Sequence, residues 1–522
     1  MVSINGYIIA MRTLNTFLNL LLLIISSQHL FGQDLSYNIL TNPDVENSEA
    51  YLNGNVYQRD FLLFADMLEN THPIFAEADK PHYDMDSLTK VGYRYLDSCE
   101  NGNMLQNYLQ SLLSPLNDGH SGVMMDLSGK IFPFRYFADN DTTFYLTGIT
   151  RDFANELGHR IISINGKPVG EIVESFRSSM SCDNNNYFKA NVNNRMQFKN
   201  AWVFNPHKRP DDMLQFLFDD GNSVLLPPIE KSMLDMDWYC PKKHNVPFTN
   251  NGMPFSYHIV PEKHLCYLCF STCIDRNTLR MYEMLGMSVS MTEEQIEQVP
   301  DFWLFLCEMF SEMNRQDINT LIIDVRENGG GNSMLCDQLL SWLKPIEETS
   351  RISSLIRVSK LWESQYPNLM ESFKETLINR GDSYLLGGIY DTDLVDSEFG
   401  NMMSDLFVMN HNRDSLFTGN VIFMQGEDTF SSAGDLITTA VDNGIGIIIG
   451  DNGVYSPQGF GDLLYWELPN THIQGFVSHK IFMRPDATKH NEDAIIPDIP
   501  LPETWNDYQN GIDPCWKWVL EQ

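Results

Sequence analysis

The chain has 522 residues, 43% of them apolar and 12% aromatic, a composition for two to four folded domains rather than a disordered chain. Its 69 acidic side chains outnumber 35 basic ones, giving a formal net charge of -34, and no basic patch with interleaved aromatics occurs. That balance argues against a nucleic-acid partner, because phosphate backbones are held by clustered Lys and Arg; a cationic partner or plain solubility fits it.

Arg12 precedes an apolar run from Phe17 to Ile25, broken only by Asn19 and followed by Ser26, Ser27 and Gly32. The run is short for a bilayer span, so residues 1–33 read as a signal peptide, with Met11 as a possible internal start. A buried N-terminal helix is the alternative. No later segment has the length of an uncharged span, so the expectation is an exported protein, periplasmic or extracellular, without a membrane span. No Cys lies near the cleavage point, which argues against a lipid anchor. The nine cysteines are odd in number and cannot all pair within the chain. Cys266, Cys269 and Cys273 fall in the hydrophobic run LCYLCFSTCI and are expected as core thiols rather than metal or redox groups.

Residues 34–130 are expected to form a helical domain, with apolar residues at helical spacing from Val56 to Leu68 and from Met85 to Leu113. It ends in PLNDGHSGVMM, where Asp118-Gly119 signals a turn and His120 stands at the mouth of a strand. Alone, His120 is an ordinary loop histidine. It gains meaning only beside a nucleophile. Residues 131–180 read as a small β module, with strands at Phe144 to Ile149 and Arg160 to Ile164 and a hairpin turn at Asn165-Gly166. Such a module either takes an extended peptide as an added strand or binds nothing. Residues 181–255 are expected as a β-rich extension and linker, with strands at Ala201 to Phe204, Met213 to Phe218 and Ser223 to Leu226. The Asn-rich stretch from Asp183 to Asn194 reads as a loop or helix edge.

An α/β region spans 256–500. Its centre is LIIDVRENGGGNSM, Leu321 to Met334: a buried strand ending in Asp324 and Arg326, then Asn328, Gly329, Gly330 and Gly331, then a helix-like segment from Ser333. Bare backbone N–H groups at such a turn suit a phosphate, a carboxylate or the oxyanion of acyl transfer. No Gly-Lys-Ser/Thr follows, so it is not a phosphate-binding P-loop. Leu385 to Ser415 reads as a loop-rich insertion. The strand Val421 to Met424 leads into GEDTFSSAGDLITTAVDN, where Ser431 and Ser432 precede a helical run and Asp435 falls in its first turn. A serine at a strand-to-helix junction is presented on a sharp turn near helix N–H groups; simple capping is the rival reading. The stretch ending IIPDIP holds prolines that bar an interior strand, and 501–522 form a tail.

Five elements in this order resemble the S41 peptidases, the C-terminal processing and tricorn-core serine proteases: the DGH turn at 118–120, IISINGKPV at 161–169, IIDVRENGGG at 322–331, FSSAGD at 430–435 and IPD at 496–498. The likeness covers roughly Pro115 to Pro500 and implies an α+β or α/β multidomain fold: a helical N-terminal region, a degenerate PDZ-like β domain and a ClpP/crotonase-like α/β peptidase core. Carried over by motif, Ser432 matches the nucleophile, Ala433 and Gly330 (or Gly329) supply oxyanion N–H groups, and Asp324, Arg326, Asn328 and Asp435 shape the site. The lysine of the processing branch is missing, its place held by Pro457. His120 matches the base of the tricorn-like branch. The acidic residue that orients this base falls by count on Asn491, beside Glu492 and Asp493, and Glu492 is the expected orienter. The resemblance implies peptide or protein substrates and no metal or organic cofactor. Two rivals stay open: an exported binding protein on the same fold without hydrolysis, and an esterase using the same serine.

Overall fold

The computed structural model describes residues 33–34, 37–76, 84–124, 129–203, 205–230, 238–239, 247–250, 252–285, 288–392 and 406–522. Residues 1–32 of the expected signal peptide, parts of the 181–255 linker and the middle of the Leu385 to Ser415 insertion lie outside these residues.

The chain divides into two compact units, one of Met1–Cys99, Asp118–Gly122 and Phe248–Pro500, the other of Glu100–Asn117, Val123–Pro247 and Leu501–Gln522. The helical region expected over 34–130 is therefore shared between them. The helices Val56–Thr71 and Met85–Tyr95 go with the first unit and Gly102–Leu113 with the second. The reason is visible in Val56–Thr71. Its Asp60 is fully buried and takes hydrogen bonds from the backbone and side chains of Asn470 and Thr471. Phe64, on the same helix, meets the Trp466 ring edge-on at 5.3 Å.

The main sheet of the first unit runs in the order Phe255–Val260, Leu265–Phe270, Thr320–Asp324, Asn420–Gln425, Ile447–Gly450 and Ile499–Pro500. The first pair is antiparallel and the remaining pairs are parallel. Helices Phe302–Arg315, Ser333–Leu340 and Ser432–Asn443 pack Phe302, Leu306, Leu339, Leu436 and Ile437 into its core. A parallel sheet buried on both faces needs continuous apolar runs, and Leu321, Ile322 and Ile323 are all fully buried. Pro500 lies in the edge strand, the one place in a sheet that tolerates its missing donor. Cys266, Cys269 and Cys273 are buried at this sheet, as core thiols.

A second sheet of the same unit runs Ile389–Asp391, Ser353–Arg357, Gln474–Met483, Gly459–Glu467 and Asn38–Ile39. Its long hairpin, Gly459–Glu467 with Gln474–Met483, is not among the elements expected from sequence.

The second unit holds the sheet Ser223–Leu226, Leu214–Phe218, Ile161–Ile164 and Lys167–Pro168, and the sheet Trp238–Tyr239, Thr143–Thr150 and Arg135–Asn140. Asn165 and Gly166, with φ 53° and 76°, make the expected tight turn. Two local expectations are corrected. The Asn-rich stretch forms a helix, Asn185–Gln197, capped by the Asn184 side chain. The strand expected at Ala201 to Phe204 is replaced, over Ala201 and Trp202, by a 3-10 turn, Lys199–Trp202, while Phe204 lies outside the described residues. There the Trp202 indole N–H donates to the Met196 carbonyl at 2.7 Å while its ring packs edge-on against Phe176. Among the described residues, no helix is long and apolar enough to cross a membrane.

Candidate active site

The Thr320–Asp324 strand ends in a polar clamp. Asp324 accepts hydrogen bonds from Arg326 Nε at 2.9 Å, Arg326 Nη2 at 2.9 Å and the Tyr267 hydroxyl at 2.6 Å. Burial disfavours its charge, but the Arg326 guanidinium and these donors prevail and hold its pKa below the usual carboxylate range. Asn328, fully buried, donates to the Phe270 carbonyl at 2.9 Å and accepts from the Gly330 N–H at 2.9 Å. The glycine turn then approaches the serine turn closely. Gly330 has φ 101°, and a Cβ there would lie 2.7 Å from Ser431 Cβ. Gly331 has φ 134°, and a Cβ there would lie 2.5 Å from the Cys273 carbonyl oxygen. Only glycine meets both demands.

The serine turn is clamped to the same strand end. Thr429 Oγ1 donates to the Val325 carbonyl at 2.8 Å, and the Phe430 N–H donates to the Asn328 carbonyl at 3.0 Å. Ser431 is held at φ 53° and ψ -126°, outside the comfortable regions for an L-residue. Ser432 then begins the Ser432–Asn443 helix, with Asp435 in its first turn. The Ser432 hydroxyl donates to the Gly331 carbonyl at 2.8 Å. Beneath it, Cys336 Sγ lies 3.2 Å from the Ser432 carbonyl oxygen. Asp435 is buried and accepts from the Tyr455 hydroxyl at 2.9 Å. Burial pushes its pKa up to about 7, against the Tyr455 hydrogen bond and with help from Asp337.

His120 packs over this turn. Its ring stacks on Phe430 with centroids 4.6 Å apart and meets Tyr455 edge-on at 6.2 Å. It is buried, and its Nδ1 has no hydrogen-bond partner. Burial lowers its pKa, opposed by the charges of Asp118 and Asp462 and by the Phe460 backbone. Asp118 is fully buried, with Oδ1 3.9 Å from His120 Nδ1 and Oδ2 3.0 Å from His72 Nε2. Its Oδ1 also accepts the His120 backbone N–H at 2.8 Å, and the Ser121 hydroxyl donates to its Oδ2. Burial works against ionisation here, yet these donors and the neighbouring histidines bring the Asp118 pKa down to about 2.

The fold thus sets His120 against the residue two positions before Ser432 and against the tyrosine bonded to Asp435. Among the described residues, no hydrogen bond joins His120 to Ser432. Among the described residues, no hydrogen bond or ion pair joins Glu492 to His120. Glu492 pairs with Arg484 at 2.8 Å, because that buried guanidinium, already held by Asp442 at 2.6 Å, has donors left for a second carboxylate. Two expected oxyanion donors are engaged: the Gly330 N–H with Asn328, and the Ala433 N–H with the Phe430 carbonyl at 3.1 Å. The Gly329 N–H has no acceptor among the described residues. His72, Phe430, Tyr455 and the Phe460 to Asp462 stretch are site residues that sequence reasoning misses. The aromatic-rich run GFGDLLYWE is a readable strand signal for the last of these.

The family model for peptidase family S41 matches residues 298–501. That match covers less than half of the chain and, with the architecture above, gives this region a likeness to the peptidase family S41 fold. Among solved structures, mature CPAF is similar at 17% identity and a TM-score of 0.58, over 90% of this chain and 96% of that one. Mature CPAF complexed with lactacystin is similar at 16% identity and a TM-score of 0.58, over 91% and 98%. A serine-to-alanine mutant of CPAF is similar at 16% identity and a TM-score of 0.59, over 90% and 96%. At these identities the likeness is one of fold. No curated protein matches the chain.

Proposed function

We propose that the protein is an exported serine endopeptidase in which Ser432 is the nucleophile and His120 the general base. The first unit is then a ClpP/crotonase-like catalytic core and the β-rich second unit a PDZ-like module for extended peptides. The observation that carries the reading is the approach of three things: a serine on a strained strand-to-helix turn, a glycine turn in contact with it, and a buried histidine stacked on that same serine turn.

In the reaction the Ser432 hydroxyl leaves the Gly331 carbonyl and gives its proton to His120 as Oγ bonds to the scissile carbonyl carbon. The carbonyl oxygen becomes an oxyanion. Gly329 N–H serves it without exchange, while Gly330 and Ala433 N–H serve it by giving up Asn328 Oδ1 and Phe430 O. The C–N bond then breaks, and the imidazolium passes its proton to the leaving amine. Water, deprotonated by His120, attacks the ester, releasing the acid and restoring Ser432. Asp324, Arg326 and Asn328 fix the glycine turn and touch no reacting atom.

A second reading has its own observation: the serine hydroxyl is bound to a backbone carbonyl rather than to the histidine, as in a binding protein that has lost hydrolysis. Incubation with an unstructured protein substrate, followed by mass spectrometry of the products, separates the two. Fragments absent with Ser432→Ala support the peptidase; an intact substrate retained on the protein supports the binding protein.

A further inference from the structure

We propose that Asp118, held in place by His72, is the carboxylate that orients His120 and balances its charge, the part the family resemblance gives to Glu492. This rests on His120 being the base. Two other carboxylates have cationic partners of their own: Glu492 pairs with Arg484 at 2.8 Å, and Asp462, whose charge also reaches His120, pairs with Lys480 at 2.8 Å. His479 is also buried beside Asp462. Asp118 Oδ1 stands 3.9 Å from His120 Nδ1, about 1 Å beyond a hydrogen bond, and Nδ1 is a buried polar atom without a partner. A small rotation of the imidazole or the carboxylate closes that gap when the ring becomes charged.

His72 decides how Asp118 is presented. It is fully buried, and its Nδ1 accepts the Ile74 N–H at 3.2 Å. That bond leaves the ring proton on Nε2, which donates to Asp118 Oδ2. The Phe460 ring packs against the His72 ring at 4.6 Å, and the Arg357 guanidinium donates to the Glu69 and His72 carbonyls at 2.8 and 2.6 Å. With Oδ2 occupied by His72 and Ser121, Oδ1 is the oxygen turned toward His120. His72 is therefore a positioning residue, acting on the base through Asp118.

The test follows the His120 imidazole by NMR in full-length protein labelled with ¹⁵N-histidine, which reads the base directly and needs no hydrolysis. Asp118→Asn removes a negative charge beside the ring, so the His120 titration moves to lower pH. Glu492→Gln leaves it in place. In parallel, the rate of Ser432 labelling by a serine-directed phosphonate falls at least tenfold in His72→Leu and returns most of the way in His72→Gln, which keeps a side-chain N–H. An unmoved titration in Asp118→Asn overturns the proposal, as does a shift in Glu492→Gln. Glu492 is half-exposed, so this second variant decides the matter even if Asp118→Asn fails to fold. Absence of phosphonate labelling in the wild type together with the expected titrations would sink the peptidase reading and leave the Asp118–His120 pairing intact.

Discussion

Ser432 and Gly331 are joined by a hydrogen bond of 2.8 Å from hydroxyl to carbonyl, so the residue proposed as nucleophile is held at rest by the glycine turn. The bond depends on Gly331 keeping φ 134° while its α-carbon lies against Cys273. Gly331→Ala strains the backbone and drives a methyl into the Cys273 carbonyl. The expected cost is at least about 2 kcal/mol in urea unfolding. A variant as stable as the wild type would mean the turn is held less tightly than this geometry requires.

His120 is buried, and burial depresses its pKa more than Asp118 and Asp462 raise it. The ring is therefore neutral, and competent as a base, further into the acid range than a free imidazole with its pKa of about 6.5. A pH profile of Ser432 labelling should show its acid limb below that midpoint. A limb at or above it contradicts this placement of the base.

Much of this was readable in the sequence, and the misses share a cause. The Gly329 to Gly331 turn and the Ser431-Ser432 junction announce themselves because backbone geometry selects the residue types locally. A motif points to Ala433 and Gly330 as donors, but whether an N–H is free depends on neighbours such as Asn328 and Phe430 that no spacing rule reports. Counting back from the IPD element leads to Glu492, but counting says nothing of Arg484, with which Glu492 pairs in the fold. His72 lies 46 residues from Asp118, in a stretch with no chemical signature, so only the fold could bring the two together.

Asp435 binds its proton more tightly in the folded protein, with a pKa of about 7 against roughly 3.9 when unfolded. A raised carboxylate pKa means that stability is greatest below the unfolded value and is lost as pH climbs toward the folded one. Asp435→Asn, which keeps a partner for Tyr455, should remove a few kcal/mol of decline between about pH 4 and 7. Thermal melts of the two proteins across that range give the answer; parallel pH dependences would count against a buried, protonated Asp435.

Arg484 and Asp442 have fully buried side chains, whereas the Glu492 side chain is 53% exposed. Arg484→Met removes the nearest cation from buried Asp442, leaving it Lys489 at 3.3 Å and the Asp486 N–H at 2.9 Å, and should cost about 3 kcal/mol. Glu492→Gln should cost under about 1 kcal/mol. Denaturant titration of both variants checks the contrast, and equal losses would show that Glu492 has a role beyond this ion pair.

The central claim, that Ser432 is an activated nucleophile with His120 as its base, is tested most directly by locating a covalent adduct. The mature protein is incubated with a serine-directed phosphonate and the modified residue is mapped by mass spectrometry, with Ser432→Ala and His120→Ala alongside. The account predicts an adduct on Ser432 that is lost in the first variant and strongly slowed in the second. An intact fold by circular dichroism with no adduct on Ser432 would contradict it.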